Sequence, residues 1–425
     1  MGHRSRSRAL PLLGLVALLA LPAPAQGVTR TTWVDPARGS DAASGASPGT
    51  ALRTLTAAWR RARRPTRILI ARGRLAPDAV PNYFEHKRRV TIEGRGRVTL
   101  PSLNIFGVRR LVLRNLTIEG DVHCERCVRL RLRRVRIRGG GRVQEGLKVN
   151  QSAHVVVERS DISGAQDNAI DFVAVQHALI RSSGIHDAGD WCAYAKGGSA
   201  YVRVVRNRIY RCGTGGFTAG QGTGFQFMVF PWVRYEAYDV RVWNNRITDT
   251  EGAGLGVNGG FNVLFANNTL RRVGSRSHAL EVVFGLRSCD GQPGDAGRSR
   301  CRTLLERGGW GTTRVDDGTN AVRIPNRHVW FYDNLISRSP GSVRLEVAAQ
   351  YRGPSQAGSR VPSPVRARED LRFVGNVFGR SARGRRAHRL PRFRWRGAGL
   401  GTPRPRSLSN ARLPGRPAGV GSDLR

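Results

Sequence analysis

Lysine is almost missing from this chain. Of its 71 basic residues only Lys87, Lys148 and Lys196 are lysines, and the other 68 are arginine, a skew that reads as a compositional habit of the source genome. Acidic residues are also scarce, 30 in all, which leaves a formal net charge of +41. A field of that sign favours polyanions such as acidic polysaccharide or an anionic envelope surface. A nucleic-acid partner is not expected. Long apolar runs are missing as well. The one candidate, Ala9 to Leu21, follows a basic start, precedes Ala23-Pro24-Ala25 and is too short to span a bilayer. This pattern predicts a signal peptide over residues 1–25 and a mature chain of about 400 residues starting near Gln26, monomeric and with no membrane span. No cysteine follows the cleavage site, so no lipid anchor is expected there. The predicted location is extracellular or periplasmic.

A second Cys-x-x-Cys pair is absent, so Cys124 and Cys127 lack the partners that zinc requires and read as a local disulfide or free thiols. In an exported chain the other cysteines are read as bridges. Cys289 with Cys301 closes a Gly-rich loop, and Cys192 with Cys212 spans neighbouring repeats slightly out of phase.

Regular leucines and helical segments are also absent, which excludes a leucine-rich repeat. What is present is a different repeat. Leu111-Val-Leu-Arg-Asn-Leu-Thr-Ile118 returns as Leu130 to Ile137, Val155 to Ile162, Ala178 to Ile185, Val202 to Ile209 and Val240 to Ile247. Val263 to Leu270, Val329 to Ile336 and Leu371 to Phe378 complete the series, with a base period near 23 residues and insertions. Each unit alternates apolar and polar residues, bends, and alternates again. A unit of this kind cannot bury its apolar face alone, but coils stacked ~4.8 Å apart share one core. Asn207, Asn245, Asn268, Asn334 and Asn376 each stand two residues before the closing apolar residue, the place for a ladder of inward amides.

The expected fold is therefore all-β, a right-handed parallel β-helix solenoid. Thr54 caps a short amphipathic helix that would close its amino-terminal end, and Ile68-Leu-Ile-Ala reads as the first buried strand. The expected organisation is an N-terminal strand and capping helix over 26–75 and a β-helix over 76–378. Insertions are expected at 213–238 and 285–325, and a basic, Pro- and Gly-rich, poorly ordered tail over 379–425.

Before each repeated strand lies a second one: Gly146 to Asn150, Ala169 to Phe172, Tyr194 to Lys196, Gly224 to Met228, Gly254 to Asn258 and Ala279 to Val283. Alternation puts Lys148, Asp171, Lys196, Gln226, Asn258 and Glu281 on the outer face, one per coil, as a polar line about 25 Å long. A polymer could lie along it. His278, Trp232 and Tyr235 are further candidates for holding sugar.

From Trp33 to Phe378 the chain resembles the pectin-lyase-like superfamily of right-handed parallel β-helices. Asp167-Asn-Ala-Ile-Asp171-Phe is similar to the acidic strand motif of the family 9 polysaccharide lyases, and Lys196-Gly-Gly to the segment carrying their catalytic lysine. The resemblance implies calcium held by Asp167 and Asp171, and Lys196 as the base of a β-elimination on an acidic polysaccharide. The residues argue for the same chemistry on their own. A base beside a carboxylate must lose its proton near neutral pH, which lysine can do and arginine almost never does. Calcium wants six or more oxygens, and Asp167, Asp171, Asp187 and Asp190 lie within one coil. His186 is a further catalytic candidate. A glycoside hydrolase using Asp167, Asp171 or Asp187 as acid and base, and a non-catalytic glycan-binding β-helix, are the alternatives.

Overall fold

The computed structural model describes residues 29–85, 89–288, 322–339, 342–345 and 371–379, together with 299, 301 and 303. The expected signal peptide, the tail beyond Gly379 and Cys289 lie outside the described residues. Among the described residues no helix is long and apolar enough to cross a membrane.

The chain winds into a right-handed parallel β-helix. The first strand is Arg30–Val34, and it pairs with Thr66–Arg74, the strand expected to come first. Between them lies the helix Leu55–Arg61, where Thr54 Oγ1 accepts the Ala57 N–H at 3.0 Å. Its Leu55, Ala58 and Trp59 are buried, and the Trp59 ring packs edge-on to Phe84 with centroids 4.7 Å apart. The helix thus covers core that the open end of the stack would leave in water.

In the middle of the stack each coil contributes three strands. One ladder runs Ala153–Glu158, Gln176–Arg181, Ser199–Val205, Ala237–Trp243, Gly260–Ala266 and Arg327–Tyr332. A second runs Asp161–Ala165, Gly184–Ala188, Arg208–Cys212, Arg246–Thr250 and Thr269–Val273. The third is a nine-stranded sheet that includes Leu147–Asn150, Ile170–Val173, Trp191–Lys196, Gly215–Gly220, Ala253–Asn258 and His278–Val283. These pairings are all parallel, so like residues stack: Ile162, Ile185, Ile209, Ile247 and Leu270 form one buried column.

The amide ladder forms as expected. Asn207, Asn245, Asn268 and Asn334 each donate their backbone N–H to the side-chain oxygen of the next asparagine or serve as that acceptor, with N···O distances of 2.9–3.0 Å. Each side-chain amide also donates to a carbonyl of the preceding coil, as Asn245 does to Val204 at 2.9 Å. Serines continue the column: Ser183 N–H donates to Asn207 Oδ1, and Ser160 N–H donates to Ser183 Oγ. The residue before each rung is bent into the left-handed region, as at Arg206, Asn244, Asn267 and Asp333. That bend turns the rung inward, and the ladder satisfies backbone donors the corner would leave orphaned.

The two insertions are not placed as the sequence suggested. Residues Gly215–Gly220 form a regular strand of the third sheet, so the first excursion spans only about residues 221–236. Gly224 to Met228 is therefore no coil strand; Phe225–Phe227 forms a short 3-10 turn within the excursion. The second insertion opens with Gly285–Ser288, which pairs parallel with Gly222–Gly224 and antiparallel with Val322–Ile324.

Cys124 is bonded to Cys127 and Cys192 to Cys212. Cys301 is also disulfide-bonded.

Candidate functional site

The outer face of the third sheet carries a groove of about 760 Å³. Its floor comes from strand alternation. In Ile170–Val173 the Ile170 and Phe172 side chains enter the core, so Asp171 points out although its neighbours leave it almost fully buried. Parallel register then sets Lys148 beside Asp171 on one coil and Tyr194 beside it on the next. Lys196 lies two residues further along and pairs with Val173, not with Asp171 as expected. Asp167 to Asp171 and Asp190 to Tyr194 share one spacing after the same corner, so aligning the two turns places Tyr194 opposite Asp171. Lys196 still lines the groove.

Lys148 is the most tightly held cation of the floor. Its Nζ donates to Glu145 Oε1 at 2.6 Å and stands 3.4 Å from Asp171 Oδ2. Burial works against its charge, but Asp171 and Glu145 outweigh burial and hold it above the ordinary lysine value. The hydroxyl of Tyr194 is pushed well up, first by burial and then by the Asp171 and Glu145 charges, so it keeps its proton. Lys196 Nζ donates to Gln221 Oε1 at 3.1 Å and sits over the Tyr194 ring, 4.4 Å from its centre.

The excursion 221–236 supplies one wall through Gln221, Thr223, Gln226 and Phe227. Gln226 thus reaches the groove from the wall and not from the sheet. Phe227 is a half-exposed ring at the edge, tied to the solenoid by a Gln151 Nε2 donation to its carbonyl at 3.3 Å. The bridge Cys124–Cys127 brackets Glu125 and Arg126 at one end of the groove. Toward the other end the indole of Trp191 lies across Gly215 and Gly256; a Cβ on either would come within 2.3 and 2.8 Å of its ring.

Several expected members are elsewhere. His186 and Asp187 lie on the strand Gly184–Ala188, before the corner that starts at Asp187 (φ 55°), and so face away from the groove. There His186 bonds Asp187 through Nδ1 at 2.6 Å, approaches Asp161 through Nε2 at 3.3 Å, and stacks on Tyr210. Asp187 is clamped by Arg211 at 2.5 and 2.6 Å. Trp232 and Tyr235 pack against the solenoid wall with Tyr201, Tyr238 and Phe261. Asn258, Glu281 and His278 continue the outer face beyond the groove: Asn258 donates to Glu281 at 3.0 Å, and His278 bonds Glu281 at 2.7 Å.

The four aspartates therefore do not converge on one calcium ion. Asp167 and Asp190 line the groove together with Asp171 of its floor, whereas Asp187 belongs to another face. Gln144 points an amide N–H, not its oxygen, at Asp167. The Lys148 ammonium occupies the approach to Glu145 and Asp171. Among the described residues no group of three or more His, Cys, Asp or Glu side chains is placed to hold a metal. Asp187 is thus not among the groove carboxylates, and the four aspartates do not form the single calcium site expected of them.

A family described as the right-handed β-helix region matches residues 120–284. No curated protein matches the chain. Among solved structures, the chain is similar to the periplasmic alginate epimerase AlgG (TM-score 0.47, 11% identity), covering 74% of this chain and 68% of that one. It is similar to the A-module of the Azotobacter vinelandii mannuronan C-5 epimerase AlgE6 (TM-score 0.45, 12% identity, 74% and 86% covered). Pectate lyase Pel9A is a third (TM-score 0.40, 13% identity, 75% and 77% covered). At these identities the likeness is one of fold.

Proposed function

We propose that this chain is an exported carbohydrate-active enzyme, a lyase that cleaves an acidic polysaccharide by β-elimination at a hexuronate. The observation that carries the reading is the groove floor, where both described lysines of an arginine-rich chain meet a protonated phenol and a buried carboxylate. Lys148, kept charged by Glu145 and Asp171, is the counter-charge for the uronate carboxylate as negative charge develops there. Lys196 is the base. Its Nζ takes the C5 proton, the C5–H electrons form the C4–C5 double bond, and the C4–O4 bond breaks. The departing oxygen takes a proton from water, and the Lys196 ammonium returns its proton to solvent. The Tyr194 hydroxyl, which accepts from Asn168 Nδ2 at 3.2 Å and is hydrogen-bonded with Asp171, steadies the floor, and the face of Phe227 is available for a pyranose ring.

The test incubates the purified mature protein with a panel of uronic polysaccharides, with calcium and with chelator. Ultraviolet absorbance from unsaturated ends that Lys196→Ala abolishes is the expected result. Reducing ends without unsaturation mean a hydrolase. Binding without cleavage of any substrate means a glycan-binding protein.

A further inference from the structure

Behind the groove, the two insertions meet on one buried ion pair. Glu236 ends the first excursion and Arg287 lies in the first strand of the second insertion, and both side chains are fully buried. Arg287 Nη2 stands 3.0 Å from Glu236 Oε1, and its guanidinium lies 5.1 Å from the Phe225 ring centre. The other carboxylate oxygen faces the groove side. Glu236 Oε2 accepts the Gly197 N–H at 2.9 Å and the Thr223 hydroxyl at 2.7 Å, while the Glu236 carbonyl accepts the Gly198 N–H at 2.8 Å.

Gly197 and Gly198 are the turn that directly follows Lys196, at φ +64° and +81°. A Cβ on Gly197 would meet Val173 at 2.8 Å, and one on Gly198 would meet the Trp232 carbonyl at 1.9 Å. The turn thus has no side chains of its own to fix it, and Glu236 supplies the anchor. The same carboxylate holds Thr223 in the groove wall. From behind, Cys301 of the second insertion packs on Phe225, Met228 and Val233 of the first.

A buried ion pair adds little stability relative to apolar residues of the same volume, so folding energy alone does not account for it. We propose that Glu236, braced by Arg287, is the positioning residue of the groove: it locks the Lys196–Gly198 turn to the 221–227 wall, so that the second insertion sets the aim of Lys196. The kinetic half of this inference rests on Lys196 being the base. The mechanical half does not.

Two double variants of the mature protein separate the acceptor from the charge. Glu236→Gln/Arg287→Met keeps a side-chain oxygen for Gly197 and Thr223 but removes both charges. Glu236→Leu/Arg287→Met keeps the volume and removes the acceptor. With the leucine pair, kcat is expected to fall about 10- to 100-fold while KM stays within about threefold. Amide hydrogen exchange at Gly197, Gly198 and 221–226 should quicken. The glutamine pair should restore both readouts to near wild type. Wild-type kcat and exchange in the leucine pair, or equal damage in both pairs, overturns the proposal. If the wild type turns over no uronan, the reading of Lys196 fails, and the exchange measurement alone decides whether Glu236 braces the turn.

Discussion

Replacing Asn245 with alanine tests the ladder that sets the coil register. Asn245 is buried, and its Oδ1 accepts the Asn207 backbone N–H at 2.9 Å and the Asn207 side-chain amide at 3.0 Å. Its Nδ2 donates to Val204 O and Asn268 Oδ1, both at 2.9 Å. Alanine deletes these bonds and strands the Asn207 backbone donor in a dry corner. A stranded buried polar group costs about 1–3 kcal/mol, and each lost bond about 1 kcal/mol, so Asn245→Ala should destabilise by about 3–5 kcal/mol. Asn245→Ser provides the contrast, because two rungs of the column are already serines. Ser183 Oγ accepts the Ser160 N–H at 3.1 Å and donates to Arg181 O at 2.9 Å. A serine at 245 should therefore recover the stranded donor and lose only about half as much. Urea unfolding followed by circular dichroism, with equal slopes for the three proteins, measures both differences. A loss below about 1 kcal/mol for alanine, or equal losses for alanine and serine, would refute the claim that the amides carry the corner.

Three further outcomes follow from the structure. Phe227→Ala should raise KM about 3- to 10-fold with kcat unchanged, since it removes the ring proposed to stack on sugar, worth roughly 0.5–1.5 kcal/mol; a kcat loss with constant KM would contradict that role. In His186, burial lowers the pKa but Asp161 and Asp187 raise it further, so it lies above the ordinary histidine value of 6.5, while Asp187 is held below the ordinary 3.8 chiefly by Arg211 and Asp161 chiefly by His186. The histidine's contribution is full below pH 6.5 and is lost as pH rises through its folded value; that of the aspartates is present above 3.8 and lost below it. The stability gap between wild type and His186→Gln should be widest between those limits and shrink at alkaline pH, and a gap independent of pH would contradict the cluster. Replacing Cys192 and Cys212 with serine should cost about 3 kcal/mol, because the bridge closes a short loop between neighbouring coils; an unchanged urea midpoint would contradict this.

The solenoid was legible in the sequence because its two strongest signals are local. Alternation decides which residues enter the core, and the asparagine column marks the corner. The site was less legible because it depends on how corners count. Lys196 was aligned by its place in an apolar pattern, whereas register follows the turn at Asp190, which puts Tyr194 beside Asp171. His186 and Asp187 are close to Asp190 in sequence, but a residue in the left-handed region separates the faces. The Gly-rich stretch 215–220 reads as an insertion because glycine resembles loop composition. Here it is strand, thinned to admit the Trp191 ring. Tyr194 could have been found from the shared Asp-x-x-x spacing. Glu236 could not, since its partners at Gly197, Thr223 and Arg287 are joined only by the packing of two insertions.

In the proposed mechanism Lys196 removes the C5 proton of a uronate lying over Lys148 and Asp171. Turnover of a cleaved uronan deuterated at C5, compared with its unlabelled twin, tests that step most directly. Unsaturated product should be released more slowly from the labelled polymer, and not at all by a folded Lys196→Ala protein with either polymer. Equal rates for the two polymers, together with full activity of Lys196→Ala, would contradict it.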